Sequence, residues 1–274
     1  MLFSLEAQNV QRDVFQSSSV RAASRRHAQG RDILIIKIPN MAKELISRYG
    51  AKPYDMAYRG HLSTLKALLS QDEKLKDRAD ENGRTLMHWA ALGGHEDVVG
   101  HLLSLGVAVG PRDDTGMTPL ILAASAGREK VVNMLLKDGA NVNEKSEGGH
   151  SALQYAASKN WKPICANLLD KKANVNIADN WGATPLHRAA SKGNIEIVRL
   201  LIENGEHLDI DKKDRYGNTA LHLACEEDRQ DEAKLLVHNG ANLEIQNKEK
   251  KTPLDLCSMD LAKELLKIAH NRNK

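Results

Sequence analysis

The sequence predicts an all-α fold, a solenoid of about seven stacked helical units. Three observations carry this. A short block recurs along the chain, clearest as Thr184-Pro185-Leu186-His187-Arg188-Ala189-Ala190. Its copies start at Thr85, Thr118, Ser151, Thr184, Thr219 and Thr252, spaced 33, 33, 33, 35 and 33 residues apart. A fixed period of this length marks units that stack along one axis and cannot bury their apolar faces alone. Paired apolar residues then follow four apart, as in Val98/Val99 with Leu102/Leu103 and Val131/Val132 with Leu135/Leu136. That is one stripe of a helix. Finally, 41% of residues are hydrophobic but only 4% are aromatic. The core must be built from Ala, Leu, Val and Ile, which suits thin helices at close approach.

Period and block together are the signature of the ankyrin repeat. Residues 41–274 are expected to form the repeat body. A degenerate first repeat spans about 50–80, good at its second helix through Leu65, Leu68 and Leu69. Repeats two to six follow at about 81–113, 114–146, 147–179, 180–214 and 215–247. In each, Thr or Ser caps the first helix, and small residues such as Ala90-Ala91 and Ala189-Ala190 let neighbouring helices approach. A turn at Gly94, Gly127 or Gly193 leads to the second helix, and Gly139, Gly205 or Gly240 leads on to a hairpin finger. The repeat-five finger is longer by two residues, around 205–213. Repeat seven loses the pattern after Cys257 and ends in an amphipathic segment through Leu261, Leu265, Leu266 and Ile268, read as a C-terminal cap.

Residues 1–40 lack the pattern and read as an extension outside the folded body. They hold six Lys/Arg against three Asp/Glu, leaving 33 of each sign in the rest of the chain. Abundant Arg and Ser raise a mitochondrial transit peptide as an alternative, opposed by Glu6, Asp13 and Asp32. A neutral body argues against nucleic-acid binding, which needs a basic stripe. No apolar run approaches the roughly 18 residues of a membrane span. Cys165, Cys225 and Cys257 sit in different repeats without a CxxC pair. Such a set predicts reduced thiols and a cytoplasmic and nuclear location.

No cofactor, metal or catalysis is expected. His88, His187 and His222 recur at one repeat position. Spread along the stack, they cannot converge on a metal, and each imidazole is expected to bond backbone between fingers. No nucleophile–base constellation or glycine-rich phosphate loop stands out. The candidate site is instead the concave face, lined by fingers and first helices. Its N-terminal part offers Asp80, Arg84, Asp113 and Asp114, its middle Trp89, Leu122, Ser125, Tyr155, Ser158, Lys159, Arg188 and Lys192. Later come Trp181, Arg215, Tyr216, Glu226 and Glu227. The order is acidic, basic, acidic, with aromatic anchors between. Leu223-Ala224-Cys225-Glu226-Glu227 also matches Leu-x-Cys-x-Glu, which binds the pocket of retinoblastoma-type proteins in extended form. Here Cys225 replaces a core Ala in a first helix, so a buried thiol is expected.

Residues 50–270 resemble the gankyrin family of 26S proteasome non-ATPase regulatory subunits. The resemblance rests on Arg84-Thr85…His88-Trp89-Ala90, Ala123-Ala124-Ser125-Ala126-Gly127-Arg128, Tyr155-Ala156-Ala157-Ser158-Lys159-Asn160 and Glu232-Ala233-Lys234-Leu235-Leu236-Val237. Asn82 and Met117 depart from the family's usual Asp and Trp. The resemblance implies a monomeric chaperone of regulatory-particle assembly, gripping the C-terminal domain of a proteasome base ATPase subunit on its concave face. It also implies a cyclin-dependent kinase and the retinoblastoma protein as further partners. Matching contact positions are Asp80, Arg84, Trp89, Asp114, Leu122, Ser125, Tyr155, Ser158, Lys159, Arg188 and Glu227.

Overall fold

The computed structural model describes residues 53–204 and 207–272. The expected extension at 1–40 and the start of the body at Met41 lie outside the described residues. Within them the chain forms thirteen α-helices, named here in chain order. Repeat one supplies α1 (Pro53–Arg59) and α2 (Leu62–Gln71). Then come α3 (Leu86–Gly93), α4 (Glu96–Ser104), α5 (Pro119–Ser125), α6 (Glu129–Lys137), α7 (Ala152–Ser158) and α8 (Lys162–Asp170). They are followed by α9 (Pro185–Lys192), α10 (Ile195–Asn204), α11 (Ala220–Glu226), α12 (Gln230–His238) and α13 (Met259–Arg272). A 3-10 turn at Pro253–Leu256 replaces the first helix of repeat seven.

The helices form two rows. The inner row runs α1, α3, α5, α7, α9, α11 and the last 3-10 turn, each packed on the next. The outer row runs α4, α6, α8, α10, α12 and α13. Composition explains the closeness. Ala90, Ala91, Ala123, Ala124, Ala156, Ala157, Ala189 and Ala190 have no exposed surface, and the predicted Val/Leu pairs fill the space between rows. Emptying one such Leu site to Ala costs about 2–5 kcal/mol. The C-terminal cap buries Leu261 and Leu265 and half-buries Ile268, while Leu266 stays 52% exposed.

Two junctions around the second helix adopt positive φ in most of the described repeats. The inter-helix turn uses Gly60, Gly94, Gly127 and Gly193, with Asn160 and Asp228 in the remaining repeats. Asn and Asp tolerate this region better than other side chains. After the second helix stand Gly106, Gly139 and Gly240, but also Lys172 at φ 63°.

The block itself builds a second scaffold. In repeats two, five and six the backbone N–H of Thr85, Thr184 and Thr219 donates to Nδ1 of His88, His187 and His222. That fixes the imidazole proton on Nε2, which donates to the next finger at Met117 O (3.1 Å), Asn218 O (3.0 Å) and Lys251 O (3.2 Å). Gln154 does the same job in repeat four, accepting from Ser151 N–H and donating to Ala183 O at 2.7 Å. The histidines therefore staple finger to finger, as their spacing predicts. Each finger also holds its own turn. Oδ1 of Asp80, Asp113, Asp179 and Asp214 accepts backbone N–H groups two and four residues on, and Asn247 repeats this.

The two extra residues of repeat five fall within the expected stretch, 205–213, and leave the finger tip unchanged. Asn143 takes the amide of Asn174, 31 residues on, and Asp211 that of Asn242, also 31 on. Asn176 takes Asp209, 33 residues on. The insertion thus falls between α10 and Asp209, and the tip from Asp214 to Asn218 keeps the standard turn.

Candidate protein-binding face

Tips are joined by backbone bonds. Asp114 N–H donates to Asn82 O, Glu147 to Thr115 O, Asn180 to Gly148 O, Arg215 to Trp181 O and Lys248 to Tyr216 O, at 2.7–3.2 Å. This ladder sets each finger beside the next and brings finger side chains alongside those of the first helices.

At the N-terminal end, Trp89 Nε1–H donates to Asp80 Oδ2 at 2.9 Å. Arg84 lies over the same indole, 5.2 Å from its centroid, and its Nε donates to Asp113 Oδ2 at 2.8 Å. Tyr58 meets Trp89 edge-on at 6.0 Å. The Asp113 side chain is 1% exposed. Burial raises its pKa, but Arg84, the Thr115 hydroxyl and the amides of Thr115 and Met117 outweigh that and hold the carboxyl below its usual value. Asp80 is likewise lowered, its burial outweighed by the Arg84 and Asn82 amides and the Trp89 indole.

A second cluster forms in repeats four and five. Arg188 pairs with Asp179, whose side chain is fully buried. His150 Nε2 stands 3.6 Å from the same carboxylate and 3.3 Å from the Arg188 guanidinium. The His150 ring lies 5.5 Å from Tyr155. Burial lowers the His150 pKa, Asp179 works against this, and Arg188 adds to it. His150 and Asp179 are not among the expected site residues. Asp179 does carry a signal, because it shares the period of Asp80 and Asp113.

The predicted site residues fall into two sets. Asp80, Arg84, Trp89 and Arg188 are half-buried and bonded internally, so they shape the face. Asp114, Lys159, Lys192, Glu226 and Glu227 are exposed, while Ser125, Tyr155 and Ser158 are half-buried. Two expectations need correction. Asp113 is 6% exposed with both oxygens engaged, and it pins fingers instead of meeting a partner. Leu122 is 4% exposed. It sits on α5 with a full helix packed on each side, α3 and α7.

Trp161 was missed. It is 40% exposed and caps α8, and a Cβ on Gly127 would come within 2.7 Å of its ring. At this position other repeats bond back to the preceding inner helix, His95 to Tyr58 O, Arg128 to Leu92 O, Asn194 to Ala157 O and Arg229 to Ser191 O. Trp161 replaces that polar tie with contact on a glycine.

The Leu-x-Cys-x-Glu segment is helical, within α11 and its C-cap Glu227. Cys225 is 2% exposed, and burial pushes its thiol pKa far up. Among the described residues no three His, Cys, Asp or Glu side chains converge as a metal site, and no helix is long and apolar enough to cross a membrane.

Stacked two-helix units, inner-row blocks and finger ladders define a class. Ankyrin-repeat models match residues 54–146 and 139–214, described as three copies, and residues 201–257, described as many copies. The chain belongs to the ankyrin-repeat family and is a protein-binding scaffold. It is similar to the 26S proteasome non-ATPase regulatory subunit 10 of rat and of human, 46% identical over 59 residues in both. That stretch is 22% of this chain and 26% of each relative, so the match spans about a quarter of the relatives' length. The human ASB11 ankyrin repeat domain is similar in structure, with a TM-score of 0.71 and 28% identity over 80% of this chain and 97% of that one. The Bcl-3 ankyrin repeat domain shares the fold, with a TM-score of 0.69 and 23% identity over 80% of this chain and 99% of that one.

Proposed function

We propose that the protein is a chaperone in assembly of the proteasome regulatory particle, gripping the C-terminal domain of a base ATPase subunit. The observation that carries this is the order of exposed charge along the finger and first-helix side. Asp114 comes first, then Lys159 and Lys192, then Glu226 and Glu227. A helical partner with basic, acidic and basic patches in sequence complements that order. Exposed pairs are each worth about 0–1 kcal/mol, so their joint effect is register and association rate. The partial match to the proteasomal regulatory subunit supports the same partner class.

Isothermal calorimetry against isolated C-terminal domains of the base ATPases tests this. Lys159→Glu weakens capture of one of them by roughly tenfold, given coupled charges of this kind, and leaves thermal unfolding unchanged. Equal affinity of wild type and variant for every ATPase domain rejects the charge-guided grip. The cell-cycle alternative gains no support from α11, because its motif lies in a helix with the cysteine buried.

A further inference from the structure

Away from the inner-row charges, the tips of the last three fingers carry a different surface. Trp181 is 51% and Tyr216 56% exposed, the most exposed Trp and Tyr side chains among the described residues. Their planes differ by 9° and their centroids lie 6.3 Å apart. The tip bonds Arg215 N–H to Trp181 O and Lys248 N–H to Tyr216 O hold them in place. The Arg215 guanidinium lies 5.5 Å from the Trp181 centroid. Beside the rings is an open depression whose charged lining is Lys213, Arg215, Lys248, Asp179 and Asp214.

The charges there are unbalanced. Asp179 is already neutralised by Arg188, and Asp214 Oδ1 takes the amides of Tyr216 and Asn218. Lys213, Arg215 and Lys248 are exposed and form no ion pair among the described residues. We propose that these tips are a second docking surface, for an extended acidic segment of a partner protein. An extended chain places alternate side chains on one side about 6.6 Å apart, which matches the 6.3 Å between the rings. Apolar side chains at alternate positions lie on Trp181 and Tyr216, while the intervening carboxylates reach Lys213, Arg215 and Lys248. Exposed aromatic anchors beside unpaired cations suit this chemistry.

A single-stranded nucleic acid also uses stacking and cations. It fits less well, because Glu249 follows Lys248 directly and Asp209 and Glu244 are exposed on the same two fingers. Those carboxylates repel a chain charged at every residue more than one charged only at alternate residues.

The test is fluorescence anisotropy of the full chain with a labelled decapeptide alternating glutamate and leucine. Its lysine-for-glutamate counterpart and an oligothymidylate of equal length serve as further probes. The glutamate peptide binds, weakens with salt, and loses roughly tenfold in affinity in both Trp181→Ala/Tyr216→Ala and Lys213→Glu/Lys248→Glu. Circular dichroism confirms that both variants fold. Lys159→Glu leaves the peptide affinity unchanged, so failure of the inner-face grip and failure of this surface are distinguishable. The proposal is overturned if the glutamate peptide does not bind, if either folded tip variant binds it as wild type does, or if the oligothymidylate binds instead.

Discussion

Arg84 of one finger donates to the buried Asp113 carboxylate of the next at 2.8 Å, with the Trp89 indole stacked against its guanidinium. One charge pair thereby ties two fingers to an inner helix. Asp113→Asn keeps the turn, as Asn247 does in the last finger, but loses the ionic bond to Arg84. The expected cost is about 1–2 kcal/mol, rising to about 3 for Asp113→Ala, which also orphans the Thr115 and Met117 amides. Urea unfolding followed by circular dichroism measures both.

The same carboxylate makes stability depend on acid. Its folded pKa is held below the unfolded value, so its contribution is complete above the ordinary carboxylate range near pH 4 and is lost as pH falls through the folded pKa. Asp113→Asn removes this component. A stability difference between wild type and variant that does not shrink in acid contradicts the assignment.

His187 offers a cleaner exchange. Burial lowers its pKa, only partly offset by the Asn218 carbonyl. The unfolded state therefore protonates first, and stability falls as pH drops below about 6.5. His187→Gln copies Gln154, which already makes both bonds in repeat four. It retains stability and flattens the fall around pH 6. His187→Ala costs about 2–3 kcal/mol by stranding the Asn218 carbonyl and opening the core.

Lys172 occupies a left-handed position held by glycine in other repeats, where an added Cβ on Gly106 or Gly139 meets nothing. Lys172→Gly relieves the strain and stabilises by up to about 1 kcal/mol. A lower unfolding midpoint for the variant contradicts this.

The thiols should react in order of access. Cys257 is half-buried, whereas Cys165 and Cys225 are buried, with the Cys165 pKa pushed up to about 12 by burial. Iodoacetamide with mass spectrometry finds Cys257 labelled first and the other two only on unfolding. Fast native labelling of Cys225 contradicts the helical packing of α11.

Much of this was legible in the residues, for physical reasons. The Thr-x-x-His spacing puts a hydroxyl and an imidazole one turn apart, so the staples could be read directly. Asp80 and Asp113 read as groove charge, and Asp179 and Asp214 of the same series draw no reading, because a carboxylate type alone does not reveal that its oxygen will close its own turn. Trp161 was invisible for a different reason. Its position accepts His, Arg, Asn or Trp, since any side chain that bonds or packs back on the previous helix suffices. Leu122 is covered because full helices flank it on both sides, whereas Leu223, the same side chain at the same position, is half-buried where only the last 3-10 turn follows α11.

The amides of Asp114, Glu147, Asn180, Arg215 and Lys248 each cross a single junction between fingers. In a spectrum of the folded protein, five resonances would then report five seams one by one. Warming or pulling the chain should part those seams individually, like beads leaving a string, and each departure would be visible at one named residue.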